Sequence, residues 1–214
     1  MTMLTRRAML GGVAAGLTAT AGCVGVLTGD EPLEFTAEPA SVGESALEST
    51  GYELVTEESP SVNEEFTVAG QTREVSVTNH LRAYEKDVDF GPLGSIRAAM
   101  FAVFTTPQIE FAGRTVNPVG EMSNRELLRQ LASRYDGMSV GESMSSTEVQ
   151  TLGKTVTVDR YEATTTVQNQ DVPIYLLLAR FQHAGDFIVT VGGYPRRLTD
   201  EESNQYTLIE SVQH

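Results

Sequence analysis

The sequence predicts an α+β domain: an antiparallel sheet of about six to eight strands with two main helices packed on it. Three observations predict it. Apolar and polar residues alternate over several strand-length runs separated by glycine-containing turns. Two segments place helix-start chemistry ahead of an apolar stripe, Ser123 with Glu126 and Thr199 with Glu202. A 40% hydrophobic content suits a globular chain of this length with a real core.

Taken in order, a helical turn is expected over residues 44–49 and a first strand over 51–57. Glu65-Phe66-Thr67-Val68 leads into the turn Ala69-Gly70-Gln71-Thr72. Residues 73–86 then read as one half-buried strand with Val75, Val77, Leu81 and Ala83 on one parity. Residues 87–94 read as a turn-rich loop, and 96–104, apolar on both parities, as a central strand. Ile109, Glu110 and Phe111 make a short strand ended by Gly113. The clearest helix spans 123–136. Leu127, Leu128, Leu131 and Tyr135 form its stripe, and Gly137 sits where a left-handed cap belongs.

Residues 139–146 read as a polar loop ahead of a three-strand meander. Its first strand, 147–152, turns at Gly153. In the second, the inward parity changes from Val156 and Val158 to Tyr161, Ala163, Thr165 and Val167, so a bulge or bend is expected near Asp159–Arg160. The third, 174–181, turns through His183-Ala184-Gly185-Asp186 into a strand over 187–191. A last helix opens at Thr199 with Tyr206, Ile209 and Val212 inward. The hairpins at Ala69-Gly70 and Leu152-Gly153 share a form; two ordinary glycine-containing hairpins are the favoured reading and a weak duplication the alternative.

Charge bounds the partners. The net charge is −14, from 15 basic and 29 acidic residues. Arg6 and Arg7 precede every acid, so the chain after Gly22 carries 13 basic against 29 acidic residues, a net −16. Only Lys86 and Lys154 are lysines. Such a surface repels itself in dilute buffer, whereas molar salt cuts the Debye length to about 3 Å. The pattern reads as halophilic. It argues against nucleic acid, which needs a basic face; the only adjacent basic pair after the leader is Arg196–Arg197.

The N-terminus reads as an address. Thr5-Arg6-Arg7-Ala8-Met9-Leu10 matches a twin-arginine export signal, and the weakly apolar stretch behind it is far shorter than the roughly 20 residues of a spanning helix. Thr20-Ala21-Gly22-Cys23 resembles a lipobox, with Thr20 where leucine is usual. Cys23, the only cysteine, is the expected lipidation site; a buried free thiol or an intermolecular disulfide is the alternative. Each lipid CH₂ buried contributes about 0.8 kcal/mol, so a two-chain lipid anchors stably. The expected organisation is a signal peptide over 1–22, the lipidated cysteine and a short tether over 23–32, and one domain over 33–214. The expected partners are the membrane through Cys23, the twin-arginine translocase during export, and an unknown extracytoplasmic protein. The expected location is the outer face of the cell membrane.

Several runs occur together with this leader: Thr50-Gly51-Tyr52-Glu53-Leu54, Gly91-Pro92-Leu93-Gly94, Asn117-Pro118-Val119-Gly120-Glu121-Met122-Ser123-Asn124 and Gly193-Tyr194-Pro195. The chain thereby resembles, over nearly its whole length, a family of haloarchaeal twin-arginine lipoproteins whose domain has no known function. The resemblance implies no activity, cofactor or catalytic residue. At fold level, the order of strands, helix, meander and terminal helix is similar to the PsbP-like sandwich, without implying a photosynthetic role.

No serine-esterase elbow, zinc-protease motif, phosphate-binding loop or dinucleotide fingerprint is present. No cofactor, metal or catalytic residue is expected, and the chain is read as a non-enzyme. His80, His183 and His214 read as too scattered for a metal site. Asp87-Val88-Asp89-Phe90-Gly91 lacks the further ligands of a calcium loop. The acids Glu57–Glu58 and Glu64–Glu65 read as surface pairs, and Asp200-Glu201-Glu202 as favouring a helix dipole. A pocket, if present, would use Asn117, Pro118 and Glu121 together with Tyr194; the alternative is a rigid connection whose proline and glycine set the turn. The function expected is a membrane-anchored binding or accessory lipoprotein. A carrier of lipid or small apolar ligand, which needs a continuous apolar cavity, is one alternative. A hydrolase, which needs His80 or His183 to meet a serine or acid at the surface, is another.

Overall fold

The computed structural model describes residues 33–68, 71–89, 95–111, 114–115, 117–133, 137–167 and 170–214. The export signal with Arg6 and Arg7, Cys23 and its tether, the Ala69-Gly70 turn, Gly91-Pro92-Leu93-Gly94, Gly113 and Tyr135 lie outside those residues.

The chain is α+β, mostly antiparallel sheet with four short helices among the described residues. Strands β1 (Leu33–Thr36) and β2 (Ser41–Val42) precede helix α1 (Glu44–Thr50). Strands β3 (Glu53–Glu58), β4 (Ser61–Val68), β5 (Gln71–Thr78), β6 (His80–Asp89) and β7 (Ser95–Pro107) follow. A small ladder, β8 (Glu110–Phe111) and β9 (Arg114–Thr115), leads to α2 (Pro118–Glu121) and α3 (Asn124–Ala132). The meander is β10 (Ser139–Thr151), β11 (Lys154–Val167), β12 (Gln170–His183) and β13 (Asp186–Pro195), closed by α4 (Glu201–Glu210) and β14 (Val212–Gln213). Seven strands form one antiparallel sheet in the order β10-β11-β12-β13-β7-β6-β3. A three-stranded arm, β1-β5-β4, has β1 parallel to β5. The expectation of two main helices holds loosely, since α3 and α4 have only nine and ten residues.

Local signals explain the elements that the sequence predicts well. Ser123 and Glu126 form the capping box of α3, the Ser123 amide donating to Glu126 Oε2 at 2.8 Å. The Ser123 hydroxyl and amide hold the Glu126 carboxyl below the usual carboxylate range. Leu152 and Gly153, with φ of 48° and 72°, make the tight turn between β10 and β11. Ala184 and Gly185 do the same between β12 and β13.

Four expectations are corrected. Residues 73–86 are two strands in two sheets, separated at Asn79, and the break reverses the parity so that Tyr84, 2% exposed, faces the core. Residues 139–146 belong to β10, a polar edge strand that pairing with β11 holds extended despite its serines. No bulge interrupts β11, whose ladder to β12 is regular from Val158 to Val167; the register shifts lie in β10. The parity change has another cause: both faces of the sheet are covered. Val156, Val158, Leu177 and Ile188 pack with Leu208 and Ile209 of α4. Tyr161, Ala163, Leu176 and Val189 pack with Leu127 and Leu128 of α3 on the opposite face. Finally, Thr199 and Glu202 make no capping box: α4 begins after Asp200, and Glu202 turns instead to the sheet.

Candidate functional site

The first turn of α4 points its acids at the sheet. Glu201 is 6% exposed, and such a carboxylate needs partners. Its Oε2 accepts from the Tyr52 hydroxyl at 3.0 Å, and its Oε1 from Lys86 Nζ and from Asn204 Nδ2 at 3.0 Å. Gln205, fully buried, donates from Nε2 to Tyr52 Oη at 2.6 Å and to the Met100 carbonyl at 3.1 Å. At the next residue of the same turn, Arg160 Nη1 donates to both Glu202 oxygens at 2.8 and 2.7 Å. The guanidiniums of Arg160 and Arg196 lie 5.0 and 5.1 Å from the Tyr175 ring, and Tyr194 meets that ring edge-on at 5.8 Å.

Beside this network a cleft of about 320 Å³ opens between the end of β6 and the turn before α4. Lys86, Asp87, Arg197, Leu198, Asp200 and Glu201 line it. Cations and carboxylates share one small opening, which suits a polar group with both donors and acceptors better than an aliphatic chain.

Burial, followed by the charge of Glu201, pushes the Tyr52 phenol far above its usual range; burial and then Glu202 do the same to Tyr194. An unfolded phenol loses its proton near pH 10, while these two keep theirs in the folded chain. Above pH 10 the unfolded state therefore binds fewer protons, and stability falls as pH rises. Their contribution is complete below about pH 10, and each loses about 1.4 kcal/mol per pH unit above it. Chemical denaturation between pH 8 and the alkaline limit checks this. A Tyr52→Phe/Tyr194→Phe double variant should show a shallower decline, and an unchanged slope would contradict the assignment.

The residues proposed for a pocket are not brought together. Asn117 is 4% exposed and caps α2, its Oδ1 accepting from the Val119 amide at 3.0 Å. Its Nδ2 donates to Thr106 Oγ1 at 2.8 Å and to the Pro107 carbonyl at 2.6 Å. Pro118 and Glu121 are exposed. Arg180 bonds the Val119 and Met122 carbonyls and ties the loop to the sheet. Pro107 pairs with Asp186, at the start of β13, and Tyr194 lies eight residues, about 26 Å, further along that strand.

Two histidines do converge. His183 and His214 meet at 2.9 Å between their Nδ1 atoms, and His214 Nε2 lies 3.1 Å from Asp186 Oδ2. That same oxygen accepts from the Glu38 amide at 2.8 Å. The Ala184-Gly185 turn makes His183 and Asp186 cross-strand partners, which the sequence could show; the arrival of His214 it could not. Among the described residues, no group of three His, Cys, Asp or Glu could hold a metal. His80 Nδ1 lies 2.8 Å from Ser59 Oγ at the surface, where the chain passes from the main sheet into the arm. No described acid bonds the other nitrogen of that ring.

A family model described as a domain of unknown function (DUF6517) matches residues 39–213. No curated protein matches the chain. Among solved structures, the cyanobacterial PsbP (CyanoP) of Synechocystis sp. PCC 6803 is 11% identical with a TM-score of 0.39, covering 82% of this chain and 91% of its own. LpqN of Mycobacterium tuberculosis, described as involved in cell envelope biogenesis, is 6% identical with a TM-score of 0.37, covering 83% and 100%. The protein of unknown function PA94 from Pseudomonas aeruginosa is 9% identical with a TM-score of 0.31, covering 66% and 89%. The similarity to PsbP is weak, and no function passes from any of the three.

Proposed function

The chain belongs to the DUF6517 family, a domain of unknown function, and on that footing we propose that it is an exported, lipid-anchored domain that binds a partner outside the cell. One observation carries the proposal. Thr5-Arg6-Arg7 and Thr20-Ala21-Gly22-Cys23 stand in the order and spacing of an export signal and a lipid-attachment site, ten residues ahead of β1. The acid-rich, lysine-poor remainder fits a surface working in concentrated salt. The polar cleft beside α4 supports binding of a polar partner group.

The carrier reading is less well supported. Tyr52, Tyr194, Gln205, Leu208 and Ile209, each at most 2% exposed, fill the space between sheet and α4. Among the described residues, hydrolysis is favoured only by the Ser59–His80 pair, whose place at the junction with the arm equally suits a structural clamp.

Replacing Arg6 and Arg7 by lysine should leave unprocessed precursor in the cytoplasm, read by fractionation and immunoblotting. Mass spectrometry of the membrane form should find a lipid on an N-terminal Cys23. Normal export of the lysine variant, or an unmodified Cys23, would remove the basis of the reading.

A further inference from the structure

The two ends of the seven-stranded sheet differ in how the chain reaches them. One end carries the Leu152-Gly153 and Ala184-Gly185 turns and the end of β7 at Pro107. These turns bear no exposed carboxylate: Asp186 is 5% exposed and committed to His214 and the Glu38 amide. Lys154, one of the two lysines, sits here and donates to the Gln182 carbonyl. Exposed acids flank this end: Glu38, Glu58 at the end of β3 and Glu148 in β10. The opposite end mixes both signs, with Asp87 and Asp200 beside Lys86 and Arg197 at the cleft and Arg97 close by on β7.

The chain enters at the turn end. The Ala37 amide donates to the Thr78 carbonyl, and Glu38 is held by Asp186 and by Thr105, whose hydroxyl donates to the Glu38 carbonyl at 2.8 Å. From there β1 runs out along the arm, Thr36 against Thr78 and Leu33 against Val75. The ten residues from Cys23 to Leu33 span at most about 33–36 Å. The far row of the sheet, at Pro195, lies nine residues or about 30 Å beyond Asp186. Setting that far end on the lipid would need the tether to run back along the sheet almost fully stretched.

We infer that the turn end of the sheet faces the lipid surface and that the cleft ahead of α4 faces away from it. This rests on lipidation of Cys23. The arm, with Glu34, Glu64 and Glu74 exposed, leaves from the same end.

Lipid blocks the only natural cysteine, so single-cysteine reporters in the full lipidated chain are clean. Spin labels at Gln182→Cys and Thr199→Cys, in right-side-out native membrane vesicles in molar salt, test the orientation. Both positions are exposed. The label at 182 should collide several-fold more with lipid-partitioned oxygen than the label at 199, which should favour an aqueous nickel chelate. The reverse ratio, or equal aqueous access for both on a membrane-bound protein, overturns the orientation. A protein that washes off the vesicles, with Cys23 unmodified by mass, overturns the anchor and this inference with it.

Discussion

Lys86→Met is expected to lower the unfolding free energy by about 3 kcal/mol. Removing one partner of a buried ion pair leaves the other charge uncompensated, a loss of roughly 3–5 kcal/mol. Glu201 is the buried partner, its side chain 7% exposed, and keeps only Tyr52 and Asn204 once the amine is gone. Lys86 is itself 22% exposed, so water replaces part of its contribution and places the effect at the lower end. Denaturant unfolding in molar salt is the measurement. Salt should not abolish the effect, because a buried pair is poorly screened. The pair Arg97–Glu85, with Arg97 65% exposed, should by contrast contribute little under the same conditions. Adding Glu201→Gln to Lys86→Met should recover a large share of the loss. If the single variant unfolds with the wild type, Glu201 is not held as a buried charge.

Gly192→Ala is expected to cost about 3 kcal/mol, and its reason is a close approach rather than a special dihedral. A methyl group at position 192 would stand 2.0 Å from Gln205 Oε1 and 2.7 Å from Cδ. Gln205 cannot swing into solvent because it is fully buried. Moving it sacrifices its bonds to Tyr52 and the Met100 carbonyl, adding an unpaired buried amide to the overpacking cost. A double-mutant cycle with Gln205→Ala isolates the contact. The two losses should fall well short of additivity, since the three atoms nearest the methyl all belong to the Gln205 side chain. Additive losses would place the cause elsewhere.

Legibility in this chain follows the range of the interaction concerned. The capping box of α3 and the Leu152-Gly153 turn lie within three or four residues, and both form as the sequence predicts. The continuous apolar run of β7 announces a strand with neighbours on both sides, and it lies between β13 and β6. The split at Asn79 was hidden, because Val75 and Leu81 keep one parity while their strands belong to different sheets. The serine-rich half of β10 was hidden for a related reason: its extended form depends on a ladder to β11, not on its own propensity. In the cleft region, the acids at the start of α4 were visible only as complements to a helix dipole. Their partners Tyr52 and Arg160 are 149 and 42 residues away in the chain.

The sequence by itself determined the α+β class, the main turns, the capped helix, the acidic surface and the proposed export and lipidation signals. Each is carried by composition or by residues a few positions apart. Tertiary structure alone decided that both faces of the sheet are covered, that Glu201 is buried against Lys86 and Tyr52, that His214 reaches His183, and that Asn117 and Tyr194 stand at opposite ends of a strand. The physical reason is that strand pairing sets the distances between remote residues. Between strands that no tight turn joins, no local pattern carries that pairing, because the backbone bonds that make it are the same for every side chain.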